Sequence, residues 1–285
     1  MRAASSVTIL AVLTSSAAGL ALPAPLPAPR VLGTFSGCSQ VLIPVAPDLE
    51  LIILEANATH QEDLVNAALD SPEAGAAEDP YGVVLWPAAQ VVASCVAALP
   101  DLKGAVLLEL GAGTGLCSLT AAARGATAHA TDYREEPLQL LRLSADLSGS
   151  RLGHALPLST QLFDITADDV PLPDVKPFVV CAADLLYLKS TSIALACRCA
   201  EALRLPSCRH VIVGDCGRPG RTAFLDELVR QGVRAESAHF EPVQGWDAAT
   251  PRHEFISSSE VGESPAERTV GLLCLTPRDL VDSSL

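Results

Sequence analysis

From residue 103 to residue 232 the chain alternates short apolar runs with longer segments in which apolar residues recur every three or four positions. The runs predict strands buried on both faces, and the periodic segments predict helices. Predicted strands lie at residues 103–113, 126–133, 158–166, 176–187 and 209–220, and predicted helices lie at 117–125, 135–149, 190–206 and 222–232. This alternation predicts an α/β fold with a Rossmann-like, doubly wound, mostly parallel sheet. Further runs at 234–242 and 268–277 add an antiparallel C-terminal edge, which makes seven strands.

The residues ahead of this pattern predict a small β element and a leading helix. Residues 41–56 alternate with the period of a strand, and Pro44 and Pro47 limit it to a sheet edge because proline cannot donate to a β ladder. The acidic segment at 60–80 has the composition of a short helix or loop at a boundary. A helix begins at about Pro87, since proline is well tolerated in a first turn. We therefore expect one domain over residues 38–285, including this β element, after a separate segment over 1–37.

That N-terminal segment has the composition of a targeting peptide. Residues 1–47 contain no Asp or Glu, and Arg2 precedes an apolar run at 7–22. The run is shorter than the roughly 18 residues that a membrane span requires, so we expect no stable span. It resembles the apolar region of a signal or organelle-targeting peptide, removed somewhere after Ala21. We expect delivery to an organelle, a mitochondrion or a plastid; an uncleaved disordered arm on a cytoplasmic protein is the alternative.

Charge and cysteine usage narrow the classes of partner. The formal net charge is -14, from 33 acidic and 19 basic residues, which argues against a nucleic-acid partner because such partners require a basic face. A small ligand or a basic protein segment fits this charge better. The nine cysteines include no C-x-x-C pair, so we expect reduced, mostly buried thiols and no metal site.

The end of the first strand of the alternating pattern carries a glycine-rich turn. Glu109 is followed by Gly111, Gly113 and Gly115, which allow the backbone to turn sharply and approach a ligand closely. A dinucleotide fingerprint would place its third glycine at position 116, where the chain has Leu116. An acid ahead of the turn would repel a pyrophosphate and suits a positively charged amino-acid group. Taken alone, such a turn is also compatible with a purely structural role.

Acidic residues end the next two predicted strands. Asp132 lies about twenty residues beyond the glycine turn, where a carboxylate can accept hydrogen bonds from both hydroxyl groups of a ribose. The alternative is a helix N-cap with Glu135 as its capping-box partner. Asp164 ends the third strand and could receive an adenine amino group, with Phe163 against the base. The alternative for Asp164 is a solvated loop acid.

The last two predicted parallel strands are followed by residues that could position an incoming nucleophile. Asp184 and Tyr187 lie three residues apart at the mouth of the fourth strand, where they could position a reacting group. The alternative is that Asp184 caps and Tyr187 packs. After the fifth strand, Arg218 lies in a turn rich in glycine and proline and could brace an acid near the pocket.

These stretches resemble the class I, seven-β-strand S-adenosylmethionine-dependent methyltransferases over roughly residues 41–277. The turn ELGAGTGL at 109–116 is common to the whole class. The D/E-x-x-Y/F ending of the fourth strand, here DLLY, is typical of the lysine-directed group. Within that group the chain is most similar to the electron transfer flavoprotein β-subunit lysine methyltransferases, through DPY-x4-WP-x2-Q at 79–90 and GD-x-GRP at 214–219.

The resemblance implies S-adenosylmethionine as the cofactor and a lysine-bearing protein as the partner. It implies that the cofactor is held by Glu109, Gly111, Gly113, Asp132 and Asp164, with Trp86 against it, and that Asp184 and Tyr187 face the substrate. Val83 stands where relatives often have an aromatic residue, and Cys216 stands where they usually have a proline. The alternatives are a small-molecule methyltransferase with the same cofactor site and a non-catalytic module that binds S-adenosylmethionine.

Overall fold

The computed structural model describes residues 26–35, 37–57, 59–60, 80–247 and 269–281. The strands within these ranges are β1 Arg30–Phe35, β2 Cys38–Ala46, β3 Leu49–Ala56, β4 Val106–Leu110, β5 Thr127–Asp132, β6 Leu158–Leu162, β7 Val179–Ala183, β8 His210–Asp215, β9 Glu241–Asp247 and β10 Thr269–Leu275. The α-helices are α1 Pro87–Ala97, α2 Leu116–Ala123, α3 Glu135–Leu152, α4 Lys189–Leu203 and α5 Arg221–Arg230, with 3-10 turns at Pro80–Val83 and Pro277–Asp279. None of these helices has the length and apolar character needed to span a membrane.

The main sheet has seven strands in the order β6-β5-β4-β7-β8-β10-β9. The strands from β6 to β8 are mutually parallel, and β10 runs antiparallel to both β8 and β9. The predicted α/β class, the seven strands and the antiparallel C-terminal edge are therefore confirmed. The chain runs outward from β4 to β6 and then returns to β7 on the other side of β4, so the strand order reverses between β4 and β7.

Helices cover both faces of the main sheet, as the buried parallel strands require. One buried cluster joins the sheet to α1, α2 and α3, and a second joins its other face to α4 and α5. Local sequence sets the helix ends: Pro87 opens α1, and Gly153, with φ of 80°, ends α3 in the left-handed region.

The N-terminal β element is a separate antiparallel sheet of order β1-β2-β3 that packs on the helical layer. Two serines of α3 tie it down: Ser144 Oγ accepts a hydrogen bond from the Leu54 N–H, and Ser148 Oγ accepts one from the Ile52 N–H, both at 2.9 Å. Because β1 begins at Arg30, the expected boundary at residue 37 falls inside this sheet. The segment before residue 26 lies outside the described residues, so the targeting prediction stays a prediction.

Two local predictions are wrong. The strand containing Pro44 is the central strand β2 and not an edge, but its pairing with β1 ends at Leu42, so Pro44 has a strand neighbour only on the β3 side. The strand predicted at 234–242 instead spans Glu241–Asp247, because hydrogen bonds to the Arg234 carbonyl fold residues 234–238 into a turn. Most of the segment predicted as a helix or loop at 60–80 lies outside the described residues.

Candidate functional site

The candidate site lies at the carboxyl edge of the parallel strands, on either side of the point where the strand order reverses. The glycine turn follows β4 there, and Asp184 follows β7, the neighbouring strand across the reversal. Ligands of open α/β sheets bind at this position because the loops after the two strands diverge and leave a crevice. The topology thus brings together residues that the sequence pointed to separately.

The three glycines of the turn are required by both backbone conformation and space. Gly111, Gly113 and Gly115 have φ of 59°, 52° and 71°, a region that L side chains rarely adopt. A Cβ on Gly115 would come within 2.3 Å of the Leu141 side chain, and one on Gly111 within 2.6 Å of Leu185. The absence of side chains at these glycines therefore lets the turn pack closely against neighbouring residues. The glycines have this structural role whether or not the turn binds a ligand.

The Glu109 side chain points into the protein and accepts a hydrogen bond from the first turn of α2. Its Oε2 accepts a hydrogen bond from the Ser118 N–H at 2.8 Å, and the residue is 2% exposed. Burial raises the pKa of this carboxyl above its usual range. The acid that was expected to attract a cationic ligand therefore sits on the N-terminus of the helix after the turn, where a dinucleotide enzyme would hold its pyrophosphate.

Beneath the turn, Glu109 shares a buried polar cluster with Cys117 and Cys181. Their three potential ligand atoms lie within 4.8 Å of one another. The hydrogen bond with Cys181, together with burial, raises the pKa of the Cys117 thiol well above its usual range, and burial raises that of Cys181. Protonated thiols that hydrogen-bond to each other account for this contact, and the expectation of no metal site stays a prediction. All nine cysteines are free thiols, and seven of them are buried.

Asp132 meets the glycine turn directly. Its Oδ2 accepts a hydrogen bond from the Gly113 N–H at 3.0 Å, and its Oδ1 accepts one from the Arg134 N–H at 3.1 Å. The following helix begins at Glu135 with Arg134 in the N-cap position, so Asp132 is not the helix cap of the alternative interpretation. A carboxylate and the apex of a glycine turn therefore lie side by side at the strand ends.

Asp164 lies on an exposed loop that replaces a helix between β6 and β7. Its Oδ1 accepts hydrogen bonds from the Thr166 N–H at 2.8 Å and from the Thr166 hydroxyl at 2.7 Å, which fixes a tight turn. Phe163 is buried, and the guanidinium of Arg198 lies 5.4 Å from the centre of its ring. Asp164 thus faces solvent beside the Asp132 end of the site, whereas Phe163 packs beneath the loop.

Asp184 is a buried junction between three elements. Its Oδ2 accepts from the Ala88 N–H in the first turn of α1, and its Oδ1 accepts from the Cys216 N–H beyond β8, both at 3.1 Å. The Arg218 Nε lies 3.3 Å from the same Oδ1, and the Asp184 side chain is only 1% exposed. Its φ of 57° is in the left-handed region, which suits Asp better than most residues. The capping alternative describes this geometry better than an acid that faces the substrate.

Arg218 joins Asp184 to the aromatic side of the site. Its guanidinium lies 4.6 Å from the centre of the Trp86 ring, a cation–π contact, while its Nε pairs with Asp184. The expectation that Arg218 braces an acid is confirmed. Trp86 and Tyr187 are both half-buried at this mouth, and Cys216 Sγ lies 3.2 Å from Asp184 Oδ2.

Sequence reasoning missed a second buried ion pair behind this loop. Asp215, 0% exposed, accepts hydrogen bonds from the Arg221 Nε at 2.5 Å and from the Gly217 N–H at 2.9 Å. Burial raises the pKa of Asp215, and the Arg221 charge opposes that rise. The GD-x-GRP stretch carried a signal for this arrangement. An Asp at a strand end, followed two residues later by a glycine with positive φ, is typical of a turn whose backbone N–H groups bind the Asp carboxylate.

Comparison with known proteins gives similarity of fold. No protein-family model and no curated protein matches the chain. Its structure is similar to magnesium protoporphyrin IX methyltransferase from Synechocystis PCC 6803, solved with bound S-adenosylmethionine, at 16% identity and a TM-score of 0.45 over 66% of this chain and 78% of that chain. It is also similar to the ribosomal protein L11 methylase from Lactobacillus delbrueckii subsp. bulgaricus, at 16% identity and a TM-score of 0.45 over 82% and 98%.

A third similar structure is a TehB-like S-adenosylmethionine-dependent methyltransferase from Corynebacterium glutamicum, at 15% identity and a TM-score of 0.42 over 77% of this chain and 99% of that chain. At such identities the likeness concerns the fold alone. None of these three is described as an electron transfer flavoprotein methyltransferase, so that resemblance stays a prediction.

Proposed function

We propose that this chain is an S-adenosylmethionine-dependent methyltransferase and that its methyl acceptor is a lysine side chain of another protein. One observation carries the cofactor part: the Gly113 N–H and the Asp132 carboxylate meet at 3.0 Å at the point where the strand order reverses. A glycine turn admits a ligand close to the backbone, and a carboxylate beside it is suited to ribose hydroxyl groups.

The residues at the strand ends fit the three parts of this cofactor. The turn from Gly111 to Gly115 would lie against its amino-acid part, since no side chain projects from the three glycines. Asp132 would receive the ribose hydroxyl groups, because each carboxylate oxygen accepts more than one hydrogen bond. Asp164, exposed beyond Asp132, would receive the adenine amino group, and the half-buried Trp86 would lie against the ligand from the side of α1.

Glu109 argues against a dinucleotide in the same place. Its carboxylate occupies the first turn of α2, the helix end that would otherwise attract a pyrophosphate. Leu116, where a dinucleotide fingerprint has its third glycine, is fully buried. A ligand without a pyrophosphate fits this arrangement, and a dinucleotide would place like charges together.

When bound, S-adenosylmethionine supplies an electrophilic methyl group on a sulfonium, and the chain's own residues would align the acceptor. A lysine amine must be neutral to react, and its ordinary pKa is about 10.4. Removal from water at the mouth, beside the positively charged Arg218, would favour the neutral form, while Tyr187 would hold the lysine stem. Asp184 acts here as a positioning residue, because its buried carboxylate fixes Arg218 and the start of α1.

The lysine acceptor is supported by the DLLY ending of β7 and by the net charge of -14, which would steer a basic segment toward the protein. The buried, free thiols are compatible with a reducing compartment, and we propose delivery to the interior of an organelle.

Labelling with methyl-labelled S-adenosylmethionine tests the proposal. The purified chain is incubated with an organelle extract, and labelled species are separated by size and mapped by mass spectrometry. We expect a discrete protein labelled on lysine and no labelling with Asp132→Ala, while the surface variant Asp226→Asn behaves like wild type. Label found only in metabolites would replace the lysine acceptor with a small molecule. Failure of calorimetry to detect S-adenosylmethionine binding would refute the cofactor.

A further inference from the structure

The loop after β6, residues 163–172, contains no helix, and hydrogen bonds from side chains of α4 fix its backbone. Arg198 of α4 is 6% exposed. Its Nε donates to the Ile165 carbonyl at 3.1 Å, and its Nη2 donates to the Ala167 carbonyl at 2.5 Å. These two carbonyls flank Thr166, the residue that binds the Asp164 side chain. A planar guanidinium is suited to this task because its donors point in fixed directions.

Glu201, one helical turn along α4, also contacts the loop. Its Oε2 accepts from Arg198 Nη1 at 2.9 Å, and its Oε1 accepts from the Leu172 N–H at 2.8 Å. The Arg198–Glu201 pair therefore fixes the backbone of the loop at three points. The Phe163 ring beneath the guanidinium adds a cation–π contact, and the Phe163 N–H donates to the Asp132 carbonyl at 2.8 Å.

We propose that the Arg198–Glu201 pair is a positioning device that sets the selectivity of the cofactor site for an adenine base. This inference rests on the proposed function. A loop without a helix would otherwise sample many conformations, and Asp164 would lose its fixed distance from Asp132. Held in place, the Asp164 carboxylate can accept from an exocyclic amino group and would reject a base that presents a carbonyl oxygen there, because two acceptors would then face each other.

The test compares two ligands that differ at the 6-position of the purine and in the proton on the neighbouring ring N1. S-adenosylhomocysteine has the amino group, and S-inosylhomocysteine has an oxygen in its place. For the wild type we expect a roughly tenfold preference for the adenine ligand, of the order that one hydrogen bond to a charged group gives. Arg198→Met should bring the ratio of the two dissociation constants close to one, and Arg198→Lys should give an intermediate ratio because one ammonium cannot span both carbonyls.

Arg204→Met is the matched control. Arg204 is the C-cap residue of α4 and also donates to two carbonyls, those of Ala200 at 2.8 Å and Gln231 at 2.5 Å, neither of which lies in the loop. Circular dichroism first shows a temperature at which every variant is folded, and binding is measured there by calorimetry. We expect Arg204→Met to keep the wild-type ratio, and a general loss of stability to weaken both ligands without changing their ratio.

An unchanged ratio in Arg198→Met, with the protein folded and S-adenosylhomocysteine bound, would overturn this inference and leave the proposed function intact. If the wild type binds neither ligand, the proposed function itself fails. A preference that Asp164→Asn does not reduce would also overturn the inference, because the pair is argued to act through Asp164.

Discussion

The substitution Asp184→Asn tests which of two roles the Asp184 carboxylate has. It either contacts the methyl acceptor or stabilises the structure around the site. Asn adopts the left-handed conformation that this position requires, so the backbone is not strained further. The two carboxylate oxygens accept from the Ala88 and Cys216 N–H groups on opposite sides, and an amide presents its own donors to one of them. One buried donor then lacks an acceptor, which costs about 1–3 kcal/mol.

The same substitution removes the charge that faces Arg218. The Arg218 side chain is 20% exposed, so water compensates part of that loss, and we assign about 1 kcal/mol to it. The free energy of unfolding should therefore fall by roughly 3 kcal/mol, which for a chain of this size lowers the melting temperature by roughly 5 °C. S-adenosylmethionine affinity should change much less than stability, because the Gly113–Asp132 contact lies on the other side of β4.

Urea unfolding and thermal melting measure the stability, and calorimetry at a temperature where the variant is folded measures the affinity. Asp226→Asn, an exposed site on α5, is the control and should leave all three values unchanged. A variant that is as stable as wild type yet has lost methyl transfer would refute the structural reasoning. It would return Asp184 to the role of an acid that contacts the amine.

Three further predictions concern the same region. Gly115→Ala should cost about 2–4 kcal/mol of stability and Gly153→Ala only about 1, since both have positive φ but only the first meets a neighbouring side chain; equal urea midpoints would contradict this. Burial raises the pKa of Glu109, so its contribution to stability is present below its ordinary pKa and lost as pH rises through the raised value. As pH rises above the ordinary range of a glutamate pKa, Glu109→Gln should therefore lose less stability than wild type; an equal pH dependence of the two free energies of unfolding, measured with urea, would exclude this. With a chromogenic thiol reagent, Cys197 and Cys274 should react first and the buried thiols only after denaturation, whereas prompt reaction of every thiol would contradict the burial.

Much of the fold followed from local pattern. The predicted strands from 103 to 220 contain β4 to β8, because buried parallel strands are continuously apolar. The predicted helices match α2 to α5 to within three residues at each end, because apolar residues of a helix recur every three to four positions. The sharp turn after β4 was also predictable from its glycines. Gly111, Gly113 and Gly115 have positive φ, which few other residues adopt. The strand at 234–242 was misplaced because its few apolar residues are used in a turn and in packing, and the true strand depends on pairing with β10.

The direction in which each acid points was decided by tertiary structure. Local pattern was enough to predict the α/β class, the glycine turn after β4 and the presence of acids at the strand ends. It did not determine that Glu109 turns inward to α2, that Asp184 closes α1, or that Arg198 holds the loop around Asp164. The reason is distance along the chain: Asp184 binds an N–H group 96 residues away, and Arg198 binds a carbonyl 33 residues away. Local periodicity carries no information about such partners, because they become neighbours only when the sheet assembles.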